Sequence, residues 1–217
     1  MADEIESGKS FEDVVKEFVL AHKRIIFNGD GYSAEWEEEA ARRGLPNNKN
    51  TVDALKCLKE EKYMEMLDRI GVYSKVELAS RYEILLDNYI KTIQVEALTA
   101  LKMAKTQLYP AACDYLARLS GSVLAAKDAG IECEFMVEDA NNLSGLLKTA
   151  KEKMNTLEAN ITKAQNSEAE IFEVASMWRD EVFGTMQSLR ETMDAVEEVV
   201  DDSYWPIPTY VDLLFGI

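Results

Sequence analysis

Residues 143–164 read LSGLLKTAKEKMNTLEANITKA. Leu143, Leu147, Ala150, Met154, Leu157, Ile161 and Ala164 follow one another in steps of four and three, with charged and small polar residues between them. This is a heptad seam, the pattern of a helix that lies lengthwise against partners. The seam continues through Ile171, Ala175, Trp178 and Val182, shifts by one position, and resumes at Met186, Leu189, Met193 and Val196. A single helix carrying all of it would be roughly 100 Å long at about 1.5 Å per residue. Ser167 and Glu170 have capping-box spacing, and no strongly apolar residue lies between Ile161 and Ile171. The stretch is therefore read as two helices, 134–165 and 168–200, joined by a brief turn at Gln165–Asn166. With a helix over 93–129 they predict an elongated antiparallel hairpin or three-helix bundle, because links as short as Gly130–Ile131 return the chain beside itself.

Upstream, Ser74 and Glu77 form another capping box, and helix is expected from there to Ala129. Interruptions are expected near Thr92 and at Pro110, where proline loses a hydrogen bond and clashes one turn back. The first part of the chain predicts short helices on tight turns. One follows the Ser10/Asp13 pair to about Arg24, a second runs from Ser33 to Arg43, and a third opens at Asn50 or Thr51 and stops at Gly71, with a break near Lys59. Downstream lies YWPIPTYVDLLFGI, residues 204–217. Pro206 bars continuation of the helix, and the prolines favour extended backbone. The fold class is all-α, in three regions: short helices over 1–73, a long-helix bundle over 74–203, and an extended aromatic docking strap over 204–217.

Composition narrows the partners. Lys and Arg number 24 against 40 Asp and Glu, a formal net charge of −16. Such a surface repels phosphate backbones, and no basic patch offsets it, so nucleic acid is excluded as a partner. No run approaches the ~18 consecutive apolar residues of a membrane-spanning helix. The start, MADEIESGKS, lacks the basic and apolar regions of a signal peptide, so a cytoplasmic location is expected. Cys57, Cys113 and Cys133 are odd in number and far apart, and read as small buried hydrophobes rather than a disulfide or zinc set.

The most site-like stretch is FNGDGYS, residues 27–33, with Asn28, Gly29, Asp30 and Gly31. It lacks the Gly-Lys-Ser/Thr ending of a P-loop and the oxygen-ligand ladder of a calcium loop, and it reads as a turn between helices. His22 is the single histidine and has no catalytic or metal partner in sequence. The glutamates around Trp36 read as an acidic helix start, with Glu38/Arg42 and Glu39/Arg43 in favourable i,i+4 order. Arg81 has the chemistry to meet a carboxylate or phosphate from the polar face of a core helix. Trp205 and Tyr210 are the aromatic anchors of the strap. No catalytic, cofactor-binding or metal-ligating residue emerges; these eight positions are candidates for interface or structural roles.

Three long strings carry a resemblance: HKRIIFNGDGYSAEWEEEAARRGLPN, SRYEILLDNYIKTIQVEALTALKMAKTQLYPA and YWPIPTYVDLLF. They are similar to the C-terminal region of type III glutamine synthetases, in the right order, from about Phe11 to Phe215. The resemblance implies a large bacterial enzyme of double-ringed oligomers that joins ammonia to glutamate through γ-glutamyl phosphate, using ATP and magnesium or manganese. It also implies that the nucleotide, metal and glutamate residues lie in upstream β-grasp and barrel domains, so this chain is expected to be a non-catalytic module for domain packing and assembly. Its partners are then the missing domains of the same polypeptide. A free-standing helical adaptor or oligomerisation protein is the alternative. The strap is expected to dock either on the short N-terminal helices, against Phe11, Phe18 and Trp36, or on the absent catalytic domain.

Overall fold

Serine hydroxyls decide where three of the helices begin. In the computed structural model, which describes residues Met1–Gly216, Ser10 accepts from Asp13 N at 3.2 Å, Ser33 from Trp36 N at 3.4 Å, and Ser74 from Glu77 N at 3.3 Å. Each bond satisfies one of the amide donors that a helix start leaves open. The described residues are helical or irregular, with no strand. They form two compact units, divided between Ala54 and Leu55. That division differs in kind from the change from short to long helices, which falls at Lys75.

The first unit holds α1 (Ala2–Glu6), α2 (Phe11–Ala21) and α3 (Ala34–Arg42), and α4 (Thr51–Leu55) crosses its end. A single 3₁₀ turn, Lys23–Ile25, follows α2. Val14, Ala40 and Val52 are its buried apolar side chains. Glu39 ties the end of α3 together: Arg42 Nε and Nη2 donate to its two oxygens at 2.7 and 2.5 Å, and Arg43 Nε donates as well. These charge-assisted bonds, Arg42 first and then Arg43, hold the Glu39 carboxyl down at about 2, against the usual 4.5.

The second unit begins with a 3₁₀ segment, Lys56–Lys59, and α5 (Glu61–Arg69). The chain then rises in α6 (Lys75–Met103), a π-turn (Ala104–Leu108) and α7 (Tyr109–Asp128), one unbroken helix over residues 75–128. It returns in α8 (Glu134–Gln165) and rises again in α9 (Ile171–Met177), a second π-turn (Trp178–Phe183) and α10 (Gly184–Glu197). The seven seam residues of α8 are all buried. They pack against α7 on one flank and α10 on the other. Polar pairs fix the directions. Asn160 Nδ2 donates to the Glu181 carbonyl (3.1 Å) and Thr185 Oγ1 (2.9 Å), while Lys153 Nζ donates to the Ser188 carbonyl (2.9 Å) and Thr192 Oγ1 (2.7 Å). As numbers fall along α8 they rise along α10, so the two run antiparallel. Lys105 with Glu158 and Lys151 over Tyr109 give the same sense for α8 against the 75–128 helix.

Four expectations change. Thr92 interrupts nothing; its hydroxyl donates to the Asn88 carbonyl inside α6. Pro110 neither breaks nor ends the helix, because the π-turn stops just before it and places it in the first turn of the following α-helical segment, where a missing N–H costs little. The last long helix starts at Ile171 rather than 168, without a Ser167 cap. The link is therefore residues 166–170, longer than the expected two-residue turn. Finally, 204–216 is not extended throughout. Asp202–Tyr204 is a 3₁₀ turn and Tyr210–Phe215 a short helix, α11, so extended backbone is confined to the proline-bearing stretch between them; Ile217 lies outside the described residues.

Two outcomes are expected. Leu157 is fully buried, so Leu157→Ala should lower the unfolding free energy of the second unit by about 2–5 kcal/mol. Glu158→Ala removes only a surface pair with Lys105 (2.6 Å) and should cost about 0–1 kcal/mol. Equal effects in denaturant titrations would place the seam on the wrong face. For Glu39, the folded carboxyl lies below its unfolded value, so its contribution is present at neutral pH and lost as pH falls from 4.5 through about 2. Carboxyl titration by nuclear magnetic resonance should find the low value, and Arg42→Ala should move it back toward 4.5. No movement would show that the arginine bonds are not its cause.

Candidate docking site

The eight positions singled out in sequence fall in three places. Asn28, Gly29, Asp30 and Gly31 are exposed in the turn before α3. Asp30 Oδ1 accepts from Tyr32 N at 2.9 Å, and the Asp30 carbonyl accepts from Ser33 Oγ at 2.8 Å, so the acidic side chain is spent on building its own turn. Trp36 is half-buried, with its ring 4.7 Å from Phe27. Arg43 lies over the other partner of that pair, 5.9 Å from the Phe27 centroid, and donates to the Arg24 carbonyl (2.9 Å) and the Ile26 carbonyl. A Cβ on Gly29 would stand 2.6 Å from the Phe27 ring, which Trp36 and Arg43 hold in place. Glycine is therefore required there by close approach. The turn is held by the Asp30 bonds and by Phe27 packed with Trp36 and Arg43.

Arg81 stacks over Tyr73 at 4.5 Å. Tyr73 lies in the joint between the α5 end and the α6 start, and the Glu77 carboxyl, lowered first by its bonds to Ser74, is lowered further by the Arg81 charge. Among the described residues, no group of three or more His, Cys, Asp or Glu side chains gathers to hold a metal ion. No helix of the described residues is long and apolar enough to cross a membrane.

Trp205 and Tyr210 mark a different feature. The chain after α10 folds back on its own unit. Tyr204 meets Tyr115 of α7 at 5.4 Å, Arg118 pairs with Asp201 at 3.6 Å, and Trp205 enters the core with 9% of its surface left exposed. The strap is thus anchored on α7 and α10. Its last residues behave otherwise: Leu213, Leu214 and Phe215 on α11 are exposed. The strap is expected to dock on the short N-terminal helices or on an absent domain; its first half packs instead on α7 and α10, and α11 leaves these three apolar side chains exposed.

Between α6, α10 and the strap lies a groove of about 620 Å³. Its floor is apolar, with Met103, Ala104 and Leu108 from the 75–128 helix and Met186, Leu189 and Met193 from α10. Trp205, Ile207 and Pro208 close one side. The rim is charged. Arg190 Nη2 donates to Tyr210 Oη at 2.9 Å, and Tyr210 Oη donates to Asp194 Oδ1 at 3.1 Å. Arg190 pairs with Asp194 at 3.7 Å, and Glu197 Oε1 accepts from Tyr210 N at 3.2 Å. The bond to the Tyr210 hydroxyl, with the nearby acidic charge, raises the already high pKa of Arg190. The Trp205 indole N–H is buried with the core cluster, with no acceptor among the described residues.

Arg190 and Asp194 were not foreseen. A signal was present: Arg190 is the only Lys or Arg after Arg179, one turn from Asp194 in an otherwise acidic stretch.

Comparison with known proteins adds the lineage. The family profile described as the glutamine synthetase C-terminal domain matches residues 10–127, more than half of the chain. A glutamine synthetase of Butyrivibrio fibrisolvens is 35% identical over 214 residues, covering 98% of this chain and 30% of that protein. A type-3 glutamine synthetase of Dictyostelium discoideum is 33% identical, over 95% of this chain and 29% of its own length. A glutamine synthetase of Bacteroides fragilis is 29% identical, over 99% and 30%. The chain thus spans about 30% of the length of these curated relatives. By the profile match and these alignments, it belongs to the glutamine synthetase C-terminal domain family.

Proposed function

We propose that the chain is a non-catalytic C-terminal module of a glutamine synthetase, a cytoplasmic ligase that joins ammonia to glutamate through γ-glutamyl phosphate. The observation that carries this reading is the near end-to-end alignment of the chain with a single portion, about 30%, of proteins named glutamine synthetase. ATP and a divalent metal belong to that reaction. The described residues do not fit them: no three or more of their acidic, His or Cys side chains gather to hold a metal ion, and Phe27 packs against Gly29 of the glycine-bearing turn. No chemical step is assigned to this chain. Its contribution is mechanical. A stiff antiparallel bundle offers one exposed apolar end, α11, and a groove beside it, and such surfaces serve packing between domains or subunits. The homo-oligomer implied for the parent enzyme would use the module in this way.

Two measurements test the reading. The purified chain should show no ATP-dependent glutamine formation above a matched blank, because positioning and charge stabilisation of a transferring phosphoryl group need oriented donors that are absent here. Removing the matching portion, 30% of the Butyrivibrio fibrisolvens relative, should lower the number of subunits per particle in light scattering. Turnover by the chain alone, or an unchanged subunit number and activity after that removal, would contradict the proposal.

A further inference from the structure

The groove between α6, α10 and the strap has three properties that together specify an occupant. The first is its floor. Met103, Met186 and Met193 contribute unbranched, polarizable side chains that adapt to irregular apolar shapes. The floor extends outward onto Val95 and Leu213, which line the groove and are 65% and 70% exposed. Apolar surface in this position is matched by a ridge of side chains rather than by water.

The second is charge. Glu96, Asp194 and Glu197 line the groove against one cation, Arg190. That cation is already engaged by Asp194 and the Tyr210 hydroxyl. The rim is therefore net acidic, within a chain of net charge −16. An incoming segment with lysine or arginine beside its apolar ridge is favoured, and an acidic one is repelled. A second copy of this chain would bring the same negative field, and its α11 carries Asp212 next to Leu213.

The third is size. The volume of about 620 Å³ suits a few side chains, not a whole domain.

We infer that this groove docks a cationic amphipathic segment: a helix with apolar residues at i, i+3/i+4 and i+7 for the methionine floor, and Lys or Arg flanking them for the acidic rim. The inference concerns the surface itself and holds whichever enzyme the module serves.

The test uses the whole chain and two synthetic helical peptides with leucines at that spacing. One carries lysines at the remaining positions, the other glutamates. Binding is read by fluorescence anisotropy of the labelled peptide, with circular dichroism confirming the fold of each variant. The lysine peptide should bind and the glutamate peptide should not. Val95→Asp and Leu213→Asp should each weaken binding by about tenfold or more, a scale normal for loss of an apolar contact at an interface. Both variants add negative charge at exposed sites, so simple attraction between unlike charges would strengthen binding instead. Leu124→Asp, also at an exposed leucine (65%) but on α7 away from the groove, should leave affinity within about twofold. Unchanged or tighter binding by the two groove variants, equal binding of both peptides, or no binding of either would overturn the inference. So would dimerisation of the chain in sedimentation that Leu213→Asp abolishes, since that result makes a second copy the occupant.

Discussion

The second unit depends on one requirement: the seam of α8 must be covered on both flanks at once. α8 has 32 residues and buries only a narrow stripe, with Ser, Thr, Lys and Glu elsewhere around it. Such a helix is held by packing rather than by its own propensity. Cover on one flank comes from the 75–128 helix, and on the other from the 171–197 helix. Each must keep an apolar face toward α8 for many turns, and a straight α-helix drifts away from a heptad stripe as it goes. The two π-turns resolve this. Along the last helix the seam steps 171, 175, 178, 182, 186, 189, with two consecutive fours between Trp178 and Met186. The π-turn Trp178–Phe183 occupies that interval, and its extra residue per turn keeps Trp178, Val182 and Met186 on one side. A π-turn interrupts the regular backbone ladder, and Asn160 from α8 donates to the Glu181 carbonyl within it. Seam, shift and polar contact thus support one another.

The groove follows from the same geometry. Beyond the second π-turn, Met186, Leu189 and Met193 face the stretch of the 75–128 helix that carries the first π-turn, with Ala104 and Leu108. Small and flexible side chains meet there, and the helices leave a channel instead of closing. Trp205 comes down at one side as a buried anchor, and Tyr210 holds the rim through Arg190, Asp194 and Glu197. One strap therefore does two things: its first half completes the core, and its second half leaves Leu214 and Phe215 in solvent beside an apolar channel.

Much of this was legible in the sequence, where one strong signal acted alone. The seven seam residues of α8 and its bounds, Glu134–Gln165, were readable because periodicity and burial agree over many turns. The Ser10, Ser33 and Ser74 caps were readable because a cap is a local bond. The one-position shift of the seam was visible as well, but its physical form as a π-turn was not. Pro110 misled because its cost depends on the backbone just before it, and a π-turn at Ala104–Leu108 leaves no composition signature. α11 was missed although Thr209 and Asp212 form a capping box, like that of Ser74 and Glu77, and Gly216 ends it in the left-handed region at φ +63°. The flanking prolines drew the reading toward extended chain. Of the candidate positions, Trp205 and Tyr210 lie at the groove while Asn28 to Gly31 build a turn, because an interface is a property of three elements meeting and no single string encodes it.

Native-state hydrogen exchange of the chain, resolved by residue and followed in low denaturant, tests the dependence on α8 most directly. If the two-flank seam holds the second unit together, the central amides of α8, of the 75–128 helix around Leu101, and of α10 around Leu189 exchange only through one shared, denaturant-sensitive opening, while α11 exchanges freely at much lower free energy. Separate openings for α8 and α10, or protection of α11 equal to that of α8, would contradict it.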